Sequence, residues 1–215
     1  MTLDRLGQPP LLMLVTDRRR SRLPLVEAVA RAVAGGVDLV QVREKDLPAA
    51  DLFGLVKTLR EVVGSRAKLL VNDRADVALG AGADGVHLPE NGLPTAVARQ
   101  VVGPDRILGR SAHDPVGLEW AGLDYLLVGT VFPSPTHPGL PAAGVGRVGE
   151  FAARSPVPVL GIGGITADNC AEVIGAGAAG VAVISAILDS DDPAGAARRL
   201  KEALRAAWAA ARAKG

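Results

Sequence analysis

The chain has 215 residues, 48% of them hydrophobic, and a formal net charge of +1 from 24 basic and 23 acidic side chains. Because no basic tail or stripe is present and only 3% of the residues are aromatic, we expect neither nucleic acid nor a membrane surface as a partner. The single cysteine, Cys170, has no partner for a disulfide, and no apolar run reaches roughly 18 residues, so a cytoplasmic protein is expected.

Short runs typical of β-strands alternate with segments of helical periodicity. The predicted strands are Leu11–Thr16, Leu39–Val42, Lys68–Asn72, Gly85–Leu88, Arg106–Arg110, Tyr125–Thr130, Val157–Ile162 and Gly180–Ser185. The predicted helices are Pro24–Ala34, Ala49–Val63, Arg74–Leu79, Leu93–Val102, Pro115–Ala121, Arg147–Arg154, Thr166–Ile174 and Pro193–Ala211. This alternation indicates parallel strands joined by helices. Eight such units predict an α/β fold, a single (β/α)8 TIM barrel over residues 1–215, with an open doubly wound sheet as the alternative.

Polar side chains follow the second and third predicted strands. Gln41, Arg43 and Lys45 share the alternation phase of apolar Leu39, so we expect them to face the barrel interior, where active sites of this fold lie. A surface cluster of salt bridges is the alternative.

The third strand ends at Asn72 and Asp73, which suit a diphosphate and its Mg²⁺, although Asp73 could simply cap the next helix.

The later strand ends carry the three histidines. His87 lies among apolar neighbours within a strand, so a structural role is expected. His113 is left open between chemistry and surface pairing with Asp114. The long proline- and glycine-rich stretch Pro133–Gly146 is predicted to be a lid or binding loop. Its polar candidates are Ser134, Thr136 and His137, although hydroxyls next to proline can also be plain turn chemistry.

Two glycine-bearing turns, Gly161–Ile165 and Val183–Ser185, follow the last two strands. Glycine allows backbone N–H groups to surround an anion, and loops after strands seven and eight often bind phosphate in TIM barrels. The turns therefore predict a phosphorylated small-molecule ligand.

Together these strand ends resemble the thiamine phosphate synthase and TenI superfamily over essentially the whole chain. The matching motifs are Gln41–Lys45, Asn72–Arg74, Gly85–Leu88, Phe132–Thr136, Gly161–Ile165 and Val183–Ser185. The synthase branch joins hydroxymethylpyrimidine diphosphate to a thiazole phosphate. By resemblance, the diphosphate side would be bound by Gln41, Arg43, Lys45, Asn72 and Ser111, with Asp73 on Mg²⁺. The thiazole phosphate would contact Ser134, Thr136, Gly163, Gly164, Ile184 and Ser185.

Some positions depart from the synthase pattern and resemble the TenI branch. Gly92 stands where synthases have the second Mg²⁺ ligand, and His137 stands where they have a lysine. Gly109–His113 matches the TenI strand five, but Thr130 stands where tautomerases have their acid/base histidine.

We therefore expect a TenI-like thiazole tautomerase that needs no cofactor, with His137 or His113 as acid/base and, if its side chain points inward, Arg110 on the thiazole carboxylate. The alternative is thiamine phosphate synthase with Mg²⁺, and the third hypothesis is a non-catalytic sensor of thiazole or thiamine phosphate. Homo-oligomerisation is left open.

Overall fold

The computed structural model describes residues 3–133 and 142–213. Its eight parallel strands pair in chain order and close into a barrel, because the first strand also pairs with the eighth. The strands are β1 (Leu11–Val15), β2 (Leu39–Val42), β3 (Lys68–Asn72), β4 (Gly85–Leu88), β5 (Ile107–Ala112), β6 (Tyr125–Val128), β7 (Val159–Ile162) and β8 (Gly180–Val183). The predicted TIM barrel is confirmed.

Helices surround the barrel and cover its apolar strands. They are α1 (Leu3–Leu6), α2 (Leu25–Ala34), α3 (Ala49–Val63), α4 (Ala75–Gly80), α5 (Thr95–Val102), α6 (Gly144–Arg154), α7 (Cys170–Gly175), α8 (Ser185–Leu188) and α9 (Pro193–Arg212). Almost every strand residue is buried, as expected for a parallel sheet with a packed interior and an outer helical layer. No helix within the described ranges has the length and apolar character required to cross a membrane.

Three aspartates support the amino-terminal end of the barrel by the same arrangement. Each lies just before an even-numbered strand and accepts a hydrogen bond from a backbone N–H of the preceding strand, over 2.7–2.8 Å. Each also pairs with a cation from a helix. The pairs are Asp38 with Lys201, Asp84 with Arg60, and Asp124 with Arg99. Charged groups at this end of a TIM barrel serve stability, so the chemistry belongs to the opposite end.

Inside the barrel, a glycine makes room for the largest fully buried side chain. His87, Gly109 and Tyr125 occupy one register row across β4, β5 and β6. A Cβ on Gly109 would collide with the Tyr125 ring, so glycine is required for the ring to lie across β5. Tyr125 is fully buried and its ring centroid lies 5.6 Å from that of His87.

The main error in the predicted elements is the helix at Pro115–Ala121, which is irregular chain with turns. Gly117 and Gly122 adopt φ values of 74° and 87°, outside the helical region. The first turn of the helix predicted from Thr166 is also absent, since α7 begins at Cys170. By contrast, α6 begins at Gly144, three residues before its predicted start, which shortens the predicted loop. Ser185 begins α8 rather than ending a strand.

Candidate functional site

A cavity of about 450 Å³ opens at the carboxyl ends of the strands, where TIM-barrel active sites lie. Most of the side chains singled out from the sequence meet there, although they come from distant parts of the chain. The cavity is lined, among others, by Gln41, Arg43, Lys45, Asn72, Ser111, His113, Gly163, Gly164, Ile184 and Ser185. Ser134, Thr136 and His137 lie outside the described residues.

One wall of the cavity combines amides with cations. The Gln41 amide donates to Asn72 Oδ1 over 3.1 Å, so β2 and β3 are joined at the cavity floor. Gln41 is only 2% exposed, and its Oε1 has no partner among the described residues. A buried acceptor without a donor is costly, so this oxygen suits an N–H group of a ligand.

The segment that carries the two cations of this wall is itself held in place by hydrogen bonds. The Arg43 backbone N–H donates to Thr16 Oγ1 over 2.9 Å, and that hydroxyl donates to Glu44 Oε1 over 2.7 Å. Glu44 is buried and also accepts from the Arg18 backbone N–H and guanidinium. The positive charge of Arg43, followed by partial burial, lowers the pKa of Lys45. Two cations held this close favour a ligand with several negative charges.

The opposite wall is made of backbone. β7 lies four strands from β3 in the closed ring, and it leads into the turn at Gly163 and Gly164, whose φ values are 107° and 62°. A Cβ on Gly164 would approach Phe132 Cβ to 2.9 Å, so this turn tolerates no side chain. Asn169 holds the turn, because Oδ1 accepts from the Thr166 N–H over 2.8 Å and Nδ2 donates to Gly164 O over 3.0 Å. Apart from the position of Asn169 near a helix start, no feature of the sequence indicates this role.

A buried histidine lies between the two walls. His87 Nδ1 lies 2.8 Å from the Tyr125 hydroxyl, and Nε2 lies 2.8 Å from Ser111 Oγ. Burial, with smaller contributions from the positive charges of Arg43 and Arg110, lowers the pKa of His87 to about 3. His87 is therefore neutral at physiological pH. The sequence predicted a structural role for His87. It did not reveal the contact of His87 with Ser111, a residue that lines the cavity.

At the cavity mouth, His113 is paired rather than free. Its Nδ1 lies 2.8 Å from Glu90 Oε2, and its backbone N–H donates to Oε1 of the same carboxylate over 3.1 Å. The side chains of both residues are more than half exposed. This contact occupies Glu90, the residue best placed in sequence to stand in for the carboxylate missing at Gly92.

Arg110 does not meet the expectation that it lies in the cavity on a substrate carboxylate. It alternates with Gly109 and Ser111, so it faces away from the barrel interior, and it is absent from the cavity lining. Its guanidinium donates to the carbonyl groups of Glu90, over 3.0 Å, and of Leu93. Arg110 therefore holds the loop between β4 and α5 and lies outside the cavity lining.

Asp73 offers a carboxylate beside the cavity rather than within it. It adopts a φ of 63° and lines an adjoining cavity of about 350 Å³ together with Lys45, Asn72 and Asn91. No group of three or more His, Cys, Asp or Glu side chains that could hold a metal occurs in the described parts of the chain. A single carboxylate fits a Mg²⁺ ion that brings phosphate oxygens of its own, and it does not form an all-protein metal cage.

Comparisons with known proteins agree with one another. Residues 12–187 match the TMP-TENI family, described as thiamine monophosphate synthase. A thiamine-phosphate synthase of Mycobacterium sp. (strain KMS) is 44% identical over 207 residues, covering 90% of this chain and 92% of the relative. A putative thiamine-phosphate synthase of Geobacter sulfurreducens is 44% identical over 196 residues, covering 88% and 92%. The structure of thiamine phosphate pyrophosphorylase from Pyrococcus furiosus is 34% identical with a TM-score of 0.83, covering 94% of this chain and 97% of that one.

These relatives carry the name of the synthase, which was the alternative in the sequence analysis. The tautomerase expected first finds no support in them, and the placement of Arg110 removes one of the residues on which that expectation rested.

Proposed function

Because the chain belongs to the thiamine monophosphate synthase family, we propose that it joins hydroxymethylpyrimidine diphosphate to thiazole phosphate and releases pyrophosphate. The observation that carries this proposal is that one cavity has two walls suited to anions, one of cations and amides after β2 and β3 and one of glycine backbone after β7. A reaction between two phosphorylated substrates uses both walls. Aromatisation of a thiazole carboxylate phosphate involves one phosphate group and no diphosphate.

The wall of cations and amides also suits the pyrimidine ring of the first substrate. Among the residues that the structure describes, the buried Gln41 Oε1 has no partner, and an aminopyrimidine supplies N–H donors. Such a contact orients the pyrimidine with its diphosphate towards Arg43 and Lys45.

The reaction breaks the bond between the pyrimidine methylene carbon and a diphosphate oxygen, whose electron pair leaves with pyrophosphate. The thiazole nitrogen then supplies its lone pair to that carbon. Arg43, Lys45 and Asn72 act by binding the oxygens on which negative charge develops, which is electrostatic stabilisation of the departing group. The scheme needs no general base, in keeping with a neutral His87 and a His113 paired with Glu90.

Mg²⁺ would be held by Asp73 and the diphosphate oxygens of the substrate, where it neutralises charge on the leaving group. The phosphate of the thiazole would be bound by backbone N–H groups at Gly163, Gly164 and Ser185, joined by Ser134 and Thr136 as the family resemblance implies. This leaves the thiazole nitrogen free to face the pyrimidine.

The test follows thiamine phosphate over time with both substrates and Mg²⁺ present. We expect turnover that requires the metal and falls at least tenfold in Asp73→Asn, while Asp76→Asn, an exposed carboxylate on α4 paired with Arg74, leaves the rate unchanged. Absence of thiamine phosphate would refute the proposal. Faster aromatisation of the thiazole tautomer would then indicate the other branch of the family, and binding of thiazole phosphate without either reaction would indicate a sensor.

A further inference from the structure

The contacts of His87 determine which of its ring nitrogens carries the proton. Tyr125 is fully buried, and across the described residues its hydroxyl has no hydrogen-bond partner other than His87 Nδ1. If Nδ1 carried the proton, the phenolic hydrogen would have no acceptor, and a buried donor without an acceptor is strongly disfavoured. The phenol therefore donates to Nδ1, which leaves the proton of the neutral ring on Nε2.

This tautomer in turn sets the hydrogen-bonding role of Ser111. Nε2–H donates to Ser111 Oγ over 2.8 Å, so the serine oxygen is used as an acceptor on its buried side. The serine hydrogen must then point elsewhere, and Ser111 lines the cavity. A hydroxyl held in this way keeps its hydrogen free for a ligand, which suits an anionic oxygen.

The protonation state supports the same orientation. Desolvation and the positive charges of Arg43 and Arg110 lower the pKa of His87 far below physiological pH, so the ring neither charges nor presents two donors. Gly109 contributes by its lack of a side chain, because a Cβ there would displace the Tyr125 ring from His87.

We propose that Tyr125 and His87 are positioning residues that fix the Ser111 hydroxyl as a hydrogen-bond donor to the diphosphate. We call Tyr125, His87 and Ser111 the His87 network. The proposal rests on the proposed function for the identity of the ligand, whereas the tautomer and the direction of the hydrogen bonds do not depend on it.

The first arm of the test is ¹⁵N NMR of the imidazole rings in protein labelled at histidine. The chain has only three histidines, and His87→Gln assigns the signal of interest. We expect a neutral ring protonated at Nε2 between pH 5 and 8 in the wild type, and loss of this fixed tautomer in Tyr125→Phe. A ring protonated at Nδ1, or a charged ring, would overturn the proposal whether or not the protein makes thiamine phosphate.

The second arm measures binding of inorganic pyrophosphate with Mg²⁺ by calorimetry in a double-mutant cycle. Ser111→Ala should weaken binding about 5- to 30-fold, as expected for a hydrogen bond to a charged group. Tyr125→Phe should weaken it about threefold or more in the wild type and have no effect in Ser111→Ala, because its influence passes through that hydroxyl.

A merely structural effect of Tyr125 would weaken binding equally in both backgrounds, and that result would refute the positioning role. Leu126→Val, a change at the adjacent buried residue of β6 outside the His87 network, is the control and should leave both the tautomer and the affinity unchanged. If the network behaves as expected but thiamine phosphate never forms, the proposed function fails and this inference stands.

Discussion

Replacement of Glu44 by Gln tests how the wall of cations and amides is held in place. The Glu44 carboxylate is buried and accepts from Thr16 Oγ1 at 2.7 Å, from the Arg18 backbone N–H at 3.1 Å and from its guanidinium at 3.0 Å. Glutamine keeps the size and one acceptor oxygen, so the bond from Thr16 survives. The retained oxygen also keeps the 3.1 Å bond from the Arg18 backbone N–H. The other oxygen, which accepts from the same N–H at 3.2 Å and from the guanidinium at 3.0 Å, becomes an NH₂ group, and these two contacts become unfavourable.

Hydrogen bonds to charged groups contribute about 1.5–3 kcal/mol each, so we expect Glu44→Gln to lose about 2 kcal/mol of unfolding free energy. For a chain of this size that corresponds to a fall in Tm of about 4–8 °C. Because Glu44 lies between Arg43 and Lys45 in the chain, loss of its anchor to Arg18 should shift these cations and weaken pyrophosphate binding by a factor of about 3–10. Denaturant unfolding and calorimetry measure the two effects.

Asp46→Asn is the matched control. Asp46 pairs with the same Arg18 guanidinium, at 2.6 Å, but its side chain is 38% exposed, and exposed pairs contribute little. We expect a clearly smaller loss of stability and an unchanged affinity for pyrophosphate. Equal effects of the two substitutions, or a Glu44→Gln variant with wild-type affinity, would refute the reasoning.

Three further predictions concern the cavity and its pH dependence. Because Arg43 lowers the pKa of Lys45, the affinity for pyrophosphate should decline with rising pH, and the decline should start at a lower pH than an ordinary lysine would cause. Lys45→Arg should remove this alkaline decline in a calorimetric pH series. Gly164→Ala should lower affinity for thiazole phosphate at least tenfold and leave pyrophosphate affinity within twofold; equal losses would contradict separate walls. The unfolded chain binds a proton at His87 near pH 6.5, whereas the native state binds it only near pH 3. The free energy of unfolding should therefore fall as the pH decreases through that window, by up to about 1.4 kcal/mol per pH unit. The His87→Gln variant should show a shallower slope in unfolding measurements.

Much of the fold was predictable because the eight strands are short, apolar and separated by helical periodicity. The failure at Pro115–Ala121 arose because a mixed segment was assigned a helix on apolar spacing, although its glycine, at Gly117, adopts a positive φ. Boundaries such as the start of α7 depend on a side-chain contact of Asn169 with the turn at Gly163 and Gly164, which periodicity does not reveal.

The candidate site was partly predictable for the same reason. Alternation from Leu39 predicted that Gln41 and Arg43 face the cavity, and both line it. The same rule applied to β5 turns Arg110 outward when Ser111 faces inward, whereas the family motif alone does not indicate which way Arg110 points. Contacts between residues distant in sequence, such as Tyr125 with His87, depend on strand register and could not be predicted from either strand alone.

In the function that we propose, one cavity binds two phosphorylated molecules at the same time, on separate walls. Its most direct test is calorimetric titration of thiazole phosphate into protein saturated with Mg²⁺ and pyrophosphate. We predict one thiazole phosphate bound per chain with an affinity equal to or tighter than that for the protein without pyrophosphate. Competition, in which pyrophosphate weakens thiazole phosphate binding in proportion to its concentration, would contradict the two-wall site and the synthase function argued from it.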